Sequence, residues 1–391
     1  MKSKDTPFRS KCPYFAAKND TFAAENTLFT SNTMLRRAIF TLTLLTTSFL
    51  PPTSSLAQSV GKLRIAELNC ENLFDTIHTE GHNDHEFLPT SQRRWTAGRY
   101  HRKLSMLARE IASLGQTEPA DLVALVEVEG DTALTDLTMR TRLRTLHYNY
   151  IVTHGSDPRG INVALLWQEG AFRPLHTHTL CWQQRLGVEA PTRDVLHVQG
   201  LARSGDTLDV IVCHMPSQYG KRHSKRLRSA IAKGLRDYTD SLLSANPRAN
   251  IIILGDMNDS PQSRPMRRAL GATVLDEKVR EFQSYNVPKF ERNALFNISL
   301  LRSDPHHPRG TYRYKGNWEM LDQCIVSGRL LDTRSHLHVA TTPVRIVSHD
   351  FLLEGDKSYG GVKPWRTWQG PMFRGGFSDH LPIVVEFEYE R

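Results

Sequence analysis

The hydrophobic positions of this chain fall into short, nearly continuous apolar runs from residue 62 to the C-terminus. These runs are seven to nine residues long and rich in Val, Ile and Leu, which is typical of β-strands that are covered on both faces. We predict strands at KLRIAELNC (Lys62–Cys70), DLVALVEV (Asp121–Val128), INVALLW (Ile161–Trp167), TLDVIVCHM (Thr207–Met215), NIIILGDMN (Asn250–Asn258), MLDQCIVS (Met320–Ser327) and LPIVVEFEY (Leu381–Tyr389).

Two segments between these strands repeat their apolar residues at helical spacing. Arg99–Leu114 places Leu107 and Ile111 on one face, and Lys221–Leu243 has a similar apolar face opposite a basic one. No Pro-, Gly- or Ser-rich linker interrupts the series. The pattern therefore predicts one α/β domain over Gly61–Arg391.

The N-terminal segment has a different pattern. In Met34–Ala57, two arginines precede an apolar stretch that is shorter than the roughly 20 residues needed to span a bilayer. Ser55-Leu56-Ala57 forms a small-x-small cleavage signature. These features are typical of a signal peptide cleaved after Ala57, which predicts a secreted or periplasmic protein. Because signal peptides do not normally follow a polar leader, we interpret Met1–Thr33 as a mis-called start; the alternative is a disordered extension.

Composition changes this picture little. The chain is 39% hydrophobic and 23% charged, which is ordinary for a soluble globular protein. Its formal net charge is +9; Met1–Ala57 carries seven Lys and Arg against three Asp and Glu, so the mature chain keeps about +5. This mild positive balance suits a polyanionic substrate without identifying one. The cysteines lack CxxC spacing, and we expect those in the apolar runs, Cys70, Cys213 and Cys324, to be buried free thiols.

Polar side chains occupy the ends of almost all the predicted strands. Ligands of open α/β proteins gather at strand carboxyl ends, so we expect these side chains to lie together. Alternation along a strand predicts that Asn69 and Glu71 share one face, as do Asp256 and Asn258. The complete set comprises Asn69, Glu71, Glu127, His214, Ser217, Asp256, Asn258, Asp322, Asp379 and His380.

Each of these residues has an ordinary structural explanation when it is taken alone. Asp256 and Asn258 suit a turn, His214 suits a satisfied structural histidine, and Asp379–His380 suits a turn at the surface. Their recurrence at successive strand ends favours one functional site. Hard oxygen donors, with neither Cys nor several His, suit Mg²⁺ or Mn²⁺ together with a substrate phosphate. The remaining acids and imidazoles fit proton transfer and charge stabilisation in phosphate ester cleavage.

The ordered motifs LNCENLFD, VALVEVE, RGINVALLW, VCHMPSQYG, ILGDMND, YKGNWEMLDQCIVS and FSDHLPIVV resemble the endonuclease/exonuclease/phosphatase superfamily. That superfamily includes deoxyribonucleases, abasic-site endonucleases, bacterial sphingomyelinases and inositol-polyphosphate phosphatases. The resemblance covers nearly the whole mature chain. It implies an α/β fold in which two packed mixed β-sheets are flanked by helices in a four-layer sandwich.

The resemblance also implies a metal site. Glu127 is then the central Mg²⁺ ligand, with Asn69 and Glu71 beside it and Asp379 as a possible further ligand. Mn²⁺ is an alternative to Mg²⁺.

The same resemblance assigns catalytic roles. Asp256 orients or deprotonates the attacking water, and Asn258 binds the scissile phosphate. His380 is paired with Asp322, and His214 donates to a phosphate oxygen. Whether Asp256 or His380 is the general base is left open by the sequence.

Two further features concern the substrate. Ser217 occupies a position where DNA-specific relatives often have Asn, and Arg159 can reach a phosphate or simply be solvated. The long stretch from Arg329 to Phe377 interleaves basic and aromatic residues, which either clamp a nucleic acid or pack over the domain's own core. The residues concerned are Lys363, Trp365, Arg366, Trp368 and Arg374.

The sequence therefore predicts a secreted, divalent-metal-dependent phosphodiesterase, with nucleic acid, DNA or RNA, as its substrate and a monomeric state. A phosphatase or a sphingomyelinase-like phospholipase C is the alternative enzyme. A non-catalytic binding module is the alternative from another class, and the full set of metal and catalytic residues counts against it.

Overall fold

A computed structural model of the chain describes residues 60–115, 117–182, 192–219, 222–275, 294–300 and 308–391. The predicted extension Met1–Thr33 and the predicted signal peptide Met34–Ala57 lie outside these residues. All described residues belong to one compact unit, Ala57–Arg391. None of the helices in the described ranges is long and apolar enough to cross a membrane.

All seven predicted strands and both predicted helices are confirmed to within a few residues. The α-helices of the described chain are α1 (Ala97–Ala112), α2 (Asp131–Met139) and α3 (Arg222–Ala245). The strands are β1 (Val60–Leu73), β2 (Leu122–Val128), β3 (Tyr148–Val152), β4 (Asn162–Gln168), β5 (Phe172–Leu180), β6 (Val195–Ala202), β7 (Thr207–His214), β8 (Asn250–Asp256), β9 (Ala272–Val274), β10 (Leu295–Asn297), β11 (Tyr312–Tyr314), β12 (Asn317–Glu319), β13 (Asp322–Ser327), β14 (Leu337–Ile346), β15 (Leu353–Gly355), β16 (Val362–Pro364), β17 (Trp368–Gln369), β18 (Met372–Phe373) and β19 (Ile383–Glu390).

The strands form two large mixed sheets. The first has six strands in the order β14-β19-β1-β2-β4-β3, and the second has seven in the order β5-β6-β7-β8-β13-β10-β9. In the first sheet only β1 and β2 are parallel, and at the centre of the second sheet β7 and β8 are parallel. Each parallel pair brings two strand carboxyl ends to one edge of its sheet, where the predicted site residues lie.

Alternation along β8 shows how the layers are built. Ile252 and Leu254 belong to the core between the two sheets, whereas Ile251 and Ile253 belong to a second core beneath α3. On the other side, α1 packs on β1 through buried residues such as Leu107. The layers are therefore helix, sheet, sheet and helix, and the predicted four-layer sandwich is confirmed.

β1 and β2 are irregular at the ends that carry predicted site residues. Glu71 has a φ of +46° and Glu127 a φ of +60°. The pairing of β1 with β2 shifts register between Asn69 and Leu73. Residues with side chains seldom adopt such backbone angles, and a bulge re-aims a side chain. Asn69 and Glu71 therefore do not follow the simple alternation that the sequence predicted.

The predicted buried thiols are also confirmed. Cys70, Cys213 and Cys324 are free and buried in β1, β7 and β13. Burial raises the pKa of all three thiols, so they remain protonated and serve as packing groups.

Candidate active site

The ends of β2, β7 and β8 and the loop before β19 meet at an open cleft of about 810 Å³. Three predicted site residues, Asn69, Glu71 and Asp322, lie behind its surface and are joined to it by hydrogen bonds and ion pairs. The structure thus brings all the predicted site residues together. Those that line the cleft are Glu127, Arg159, His214, Ser217, Asp256, Asn258, Asp379 and His380.

A buried histidine–aspartate pair forms one side of the cleft. Nδ1 of His380 lies 2.7 Å from Oδ2 of Asp322, and the Asp322 side chain is completely buried. Burial opposes a charged ring, but the Asp322 carboxylate outweighs it and raises the pKa of His380 well above its usual range. His380 is therefore held as an imidazolium.

The loop that carries His380 is fixed to the first sheet by a serine. The Ser378 hydroxyl donates to the Asn69 carbonyl oxygen at 2.6 Å and accepts from the His380 N–H at 3.1 Å. On the other flank, the Leu381 N–H donates to the Thr311 carbonyl at 2.7 Å. Hydrogen bonds therefore hold the segment Ser378–His380 between β1 and Thr311, so the segment is buried and is not a surface turn.

Asp256 ends β8 in a tightly constrained backbone. A Cβ at Gly255, which has a φ of +145°, would lie 1.8 Å from the Cys213 carbonyl oxygen, so only glycine fits before Asp256. The Asp256 carboxylate accepts from the Asn258 N–H at 2.8 Å and its Nδ2 at 2.9 Å, and from Asn69 Nδ2 at 3.3 Å. Burial, with the nearby Asp322 charge, raises the pKa of Asp256 to about 7.

Asn258 has a positive φ of 48°, like Glu71 and Glu127. Its Nδ2 donates to the Met215 carbonyl at 3.0 Å as well as to Asp256. Both amide hydrogens are therefore engaged, and Asn258 orients Asp256 in this structure. Its predicted contact with a scissile phosphate requires one of these bonds to open.

Glu67 lies beneath the histidine–aspartate pair and was missed in the sequence. Its side chain is fully buried, and neither of its carboxyl oxygens accepts a hydrogen bond from a donor group of the described residues. The same is true of Oδ1 of Asp322. Burial, followed by the charges of Asp322 and Asp256, raises the pKa of Glu67 well above its usual range. A protonated Glu67 can donate to Oδ1 of Asp322, which pairs that oxygen with one of the two Glu67 oxygens.

Glu127 and His214 face each other across the cleft floor. Oε2 of Glu127 accepts from the Asn72 N–H at 3.0 Å, and Oε1 is 3.7 Å from Nε2 of His214. The same His214 nitrogen is 3.7 Å from Asp256 Oδ2. Burial, with the positive charge of Arg193, lowers the pKa of His214 well below its usual range. His214 is therefore a neutral imidazole.

Arg366 joins Glu71 to Asp379. Its Nε donates to Glu71 Oε1 at 3.2 Å, and its Nη2 donates to Asp379 Oδ2 at 2.8 Å. Glu71 also accepts from the backbone N–H groups of Thr367 and Trp368 at 2.6 and 3.2 Å. The Arg366 charge is therefore already paired with two carboxylates. Arg366 has an internal role and does not clamp a nucleic-acid backbone, as the sequence had suggested.

The aromatic residues of the same stretch also pack inward. Trp368 is buried with its ring 5.3 Å from that of Trp95, and the Trp365 ring lies 5.7 Å from that of Phe377. Packing over the domain's own core is therefore the correct interpretation of these tryptophans. The two remaining basic residues each lie 3.5 Å from the Glu354 carboxylate: Lys363 and Arg374.

Other cleft residues were not singled out in the sequence. Arg193 is buried 3.3 Å from Asp157 and lines the cleft, and the Tyr312 ring lies 4.8 Å from that of His380. Tyr219 and Tyr314 stand at the rim with exposures of 93% and 52%. The YRY pattern of β11 could have indicated Tyr312 and Tyr314, and Tyr219 lies in the motif VCHMPSQYG.

The donor set of the cleft suits a hard divalent cation. Glu127, Asp256 and Asp379 line the cleft with carboxylates, whereas Oδ1 of Asn69 accepts from the Glu71 N–H at 2.9 Å. Ligand atoms of Asp256, Asp322 and His380 also lie within 4.8 Å of one another. In that trio, however, the His380 imidazolium is already paired with the Asp322 carboxylate. Glu127 is therefore the better anchor for a cation.

Many solved structures have a similar fold, and they include the following three. The human Nocturnin catalytic domain with bound sulfate is 16% identical, with a TM-score of 0.47 over 85% of this chain and 97% of that one. A mannosyl-6-phosphatase from Bacteroides thetaiotaomicron is 14% identical, with a TM-score of 0.49 over 83% and 99%. TDP2 from D. rerio, complexed with a single-strand DNA product, is 17% identical, with a TM-score of 0.47 over 83% and 98%.

No curated protein matches the chain in sequence. A family model described as "Endonuclease/Exonuclease/phosphatase family" matches residues 64–389, nearly all of the described fold. Enzymes of this family are phosphoric ester hydrolases that typically use divalent metals. Because the match spans both sheets and every motif of the cleft, the chain belongs to the endonuclease/exonuclease/phosphatase family.

Proposed function

We propose that this protein is a secreted, Mg²⁺-dependent phosphodiesterase that hydrolyses nucleic acid. One observation carries the proposal: the buried His380–Asp322 pair, at 2.7 Å, converges with Asp256 in a cleft whose floor carries Glu127. In this proposal Glu127 holds the cation, His380 provides an imidazolium, and the carboxyl of Asp256 has a pKa raised to about 7. These parts supply the charge stabilisation and the proton acceptor that phosphate ester hydrolysis uses.

Glu127 is the anchoring ligand in this proposal, with Asn69 beside it and Mg²⁺ or Mn²⁺ as the ion. When bound, the metal supplies positive charge that offsets the charge developing on the phosphate. Glu71 accepts three hydrogen bonds from the Arg366–Trp368 segment. It therefore contributes from behind the site, by placing Arg366 against Asp379, the fourth predicted ligand.

The side chains of the cleft divide the remaining work. Asp256, held by Asn258 and Asn69, orients the attacking water and accepts its proton. His380, kept charged by Asp322, stabilises negative charge on the phosphate. His214 is neutral and donates one N–H to a phosphate oxygen.

The cleft rim favours a polymeric substrate over a small phosphate ester. Tyr219 and Tyr314 project from the rim, and stacking on aromatic rings is the usual way to hold unpaired bases. Arg159 and Arg193 add positive charge to the same cleft, and Ser217 adds a hydroxyl. We therefore expect a substrate that extends from the reacting centre to the tyrosines of the rim.

One experiment tests the function. Purified protein beginning at Gln58 is incubated with Mg²⁺ and, in parallel, with plasmid DNA, RNA, sphingomyelin, a bis-nitrophenyl phosphodiester and a phosphomonoester. We expect cleavage of DNA or RNA and slower cleavage of the small diester. Exclusive release of phosphate from the monoester, or cleavage of sphingomyelin alone, contradicts the proposal.

The rim is tested separately with Tyr314→Ala and Tyr219→Ala. Loss of stacking should raise KM for the polymer, since each stacked base contributes about 1–3 kcal/mol. Turnover of the small diester should stay unchanged, because neither tyrosine touches the reacting centre. Equal effects on both substrates contradict a stacking role.

A further inference from the structure

The loop after β1 contains a cluster of metal-binding side chains outside the catalytic cleft. Its sequence from His78 to His85 is HTEGHNDH. Ligand atoms of His78, Asp84 and His85 all lie within 4.8 Å of one another. None of the three lines the cleft that holds Glu127 and His380.

Asp84 is the fixed member of the cluster. It is 2% exposed, and its Oδ2 accepts from the Thr79 N–H at 2.8 Å. Its Oδ1 lies 2.5 Å from Nδ1 of His78. The cluster therefore contains a carboxylate that is buried and oriented before any ligand arrives.

The two histidines present a pair of imidazoles to solvent. The rings of His78 and His85 are stacked with centroids 4.5 Å apart and planes at 26°. Both side chains are exposed, so an ion can reach them from solution. The hydrogen bond to Asp84 accounts for the position of His78, but it gives no reason for a second imidazole on top of the first. A shared ligand gives one.

The surrounding loop is rigid. The Asn83 N–H donates to the Pro158 carbonyl at 2.6 Å, and the Phe87 N–H donates to the Asp84 carbonyl at 2.8 Å. The Phe87 ring is buried and stacks on Phe74, the residue next to the end of β1, at 4.2 Å. Anchors on both sides of the cluster reduce the entropy that binding an ion would otherwise cost.

We propose that His78, Asp84 and His85 bind one transition-metal ion, with Zn²⁺ as the best fit. Two nitrogen donors and one oxygen donor suit Zn²⁺, whereas Mg²⁺ prefers oxygen ligands throughout. Donors of a tetrahedral Zn²⁺ at about 2.0–2.1 Å lie about 3.3 Å apart, which small rotations of two exposed rings achieve here. Water completes the coordination. The site is separate from the catalytic cation and ties the β1–α1 connection together.

The test is metal binding by chelator-treated protein in excess Mg²⁺, which competes with Zn²⁺ for the catalytic cleft. Zn²⁺ is measured by equilibrium dialysis, and Co²⁺ by the visible absorption that reports tetrahedral coordination. Both are repeated with His78→Ala/His85→Ala and with the matched control His82→Ala, which removes a histidine of the same loop outside the cluster.

We expect wild type and His82→Ala to bind about one ion per chain, as a three-ligand site requires. The double variant should lose at least about 100-fold in affinity, more than the loss of a group that only orients a ligand. Zn²⁺ should raise the Tm of wild type and not that of the double variant. If the double variant does not fold, His85→Gln alone replaces it. Equal affinity in wild type and the cluster variant, or no binding by wild type, overturns the proposal.

Discussion

Oδ2 of Asp322 lies 2.7 Å from Nδ1 of His380, and this contact links a strand of one sheet to the loop that leads into the other sheet. Asp322 begins β13 in the second sheet, and His380 precedes β19 in the first. The contact fixes the ring and keeps it charged, so Asp322 acts through His380.

This relationship predicts a non-additive pair of variants. His380→Ala should lower turnover by about 10²–10⁴, the range for loss of one preorganised donor or proton carrier. Asp322→Asn should cost less, because the ring remains and only its orienting charge is lost. The double variant should be little worse than His380→Ala, as expected for residues of one unit. Turnover of all three variants on one substrate measures this, and multiplying losses would assign Asp322 a separate role.

Glu127→Gln should abolish Mg²⁺-dependent cleavage while leaving the fold intact. The amide keeps the size of the side chain but removes the charge that anchors the cation. Glu129→Gln is the matched control, since Glu129 is two residues away but does not line the catalytic cleft. Activity is titrated against Mg²⁺ for both. An unchanged Mg²⁺ dependence in Glu127→Gln refutes its assignment as the anchor.

Glu67→Gln should be tolerated, whereas Glu67→Ala should not. A neutral Gln still offers a donor to Oδ1 of Asp322, as a protonated Glu67 does. Ala leaves a cavity and an unsatisfied carboxylate, which costs about 2–4 kcal/mol of stability. Urea unfolding and turnover are measured for both. Equal damage from both substitutions would show that the pair requires a charged Glu67.

The buried carboxyl of Glu110 should make the free energy of unfolding depend on pH. Its carboxyl is buried in α1, and burial raises its pKa to about 8, against 4.5 for an exposed group. Between these values the folded state keeps a proton that the unfolded state has lost, so stability falls as pH rises, by at most about 1.4 kcal/mol per pH unit. Glu110→Gln has no such proton to lose. The free energy of unfolding of this variant, relative to that of wild type, should therefore increase from pH 5 to pH 8.

Urea unfolding of wild type and Glu110→Gln at several pH values measures this difference. Glu118→Gln is the control, because its side chain is 72% exposed and should change no slope. A constant difference between wild type and Glu110→Gln across this range would show that Glu110 titrates normally.

Cleavage of the predicted signal peptide determines which residue begins the mature protein. Cleavage after Ala57 leaves Gln58 as the first residue, because Ser55-Leu56-Ala57 is the small-x-small site. Mass spectrometry of protein recovered from outside the cytoplasm measures it. Recovery of that material with Met1–Thr33 still attached would show both the start site and the processing interpretation to be wrong.

The sequence by itself determined the strands, the two long helices and the chemistry of the cleft. Short continuous runs rich in Val and Ile favour strands that are covered on both faces, and this information is local. The residues beside these runs, such as Asp256 at the end of one and Asp379 before another, carry their functional groups whatever the fold. For this reason the set of predicted site residues, named strand by strand, is found around one cleft.

Only the tertiary structure decided which of these groups touch. Asn69 reaches Asp256 from the other sheet, and Arg366 joins Glu71 to Asp379, which lies 308 positions further along the chain. A shift of one residue in any strand would turn such side chains to the opposite face. Register and the bulge in β1 therefore set these contacts, and neither is written in the local pattern. The physical reason is that the burial of an apolar run is enough to make it a strand. Which residues lie beside that strand depends on how the two sheets pack.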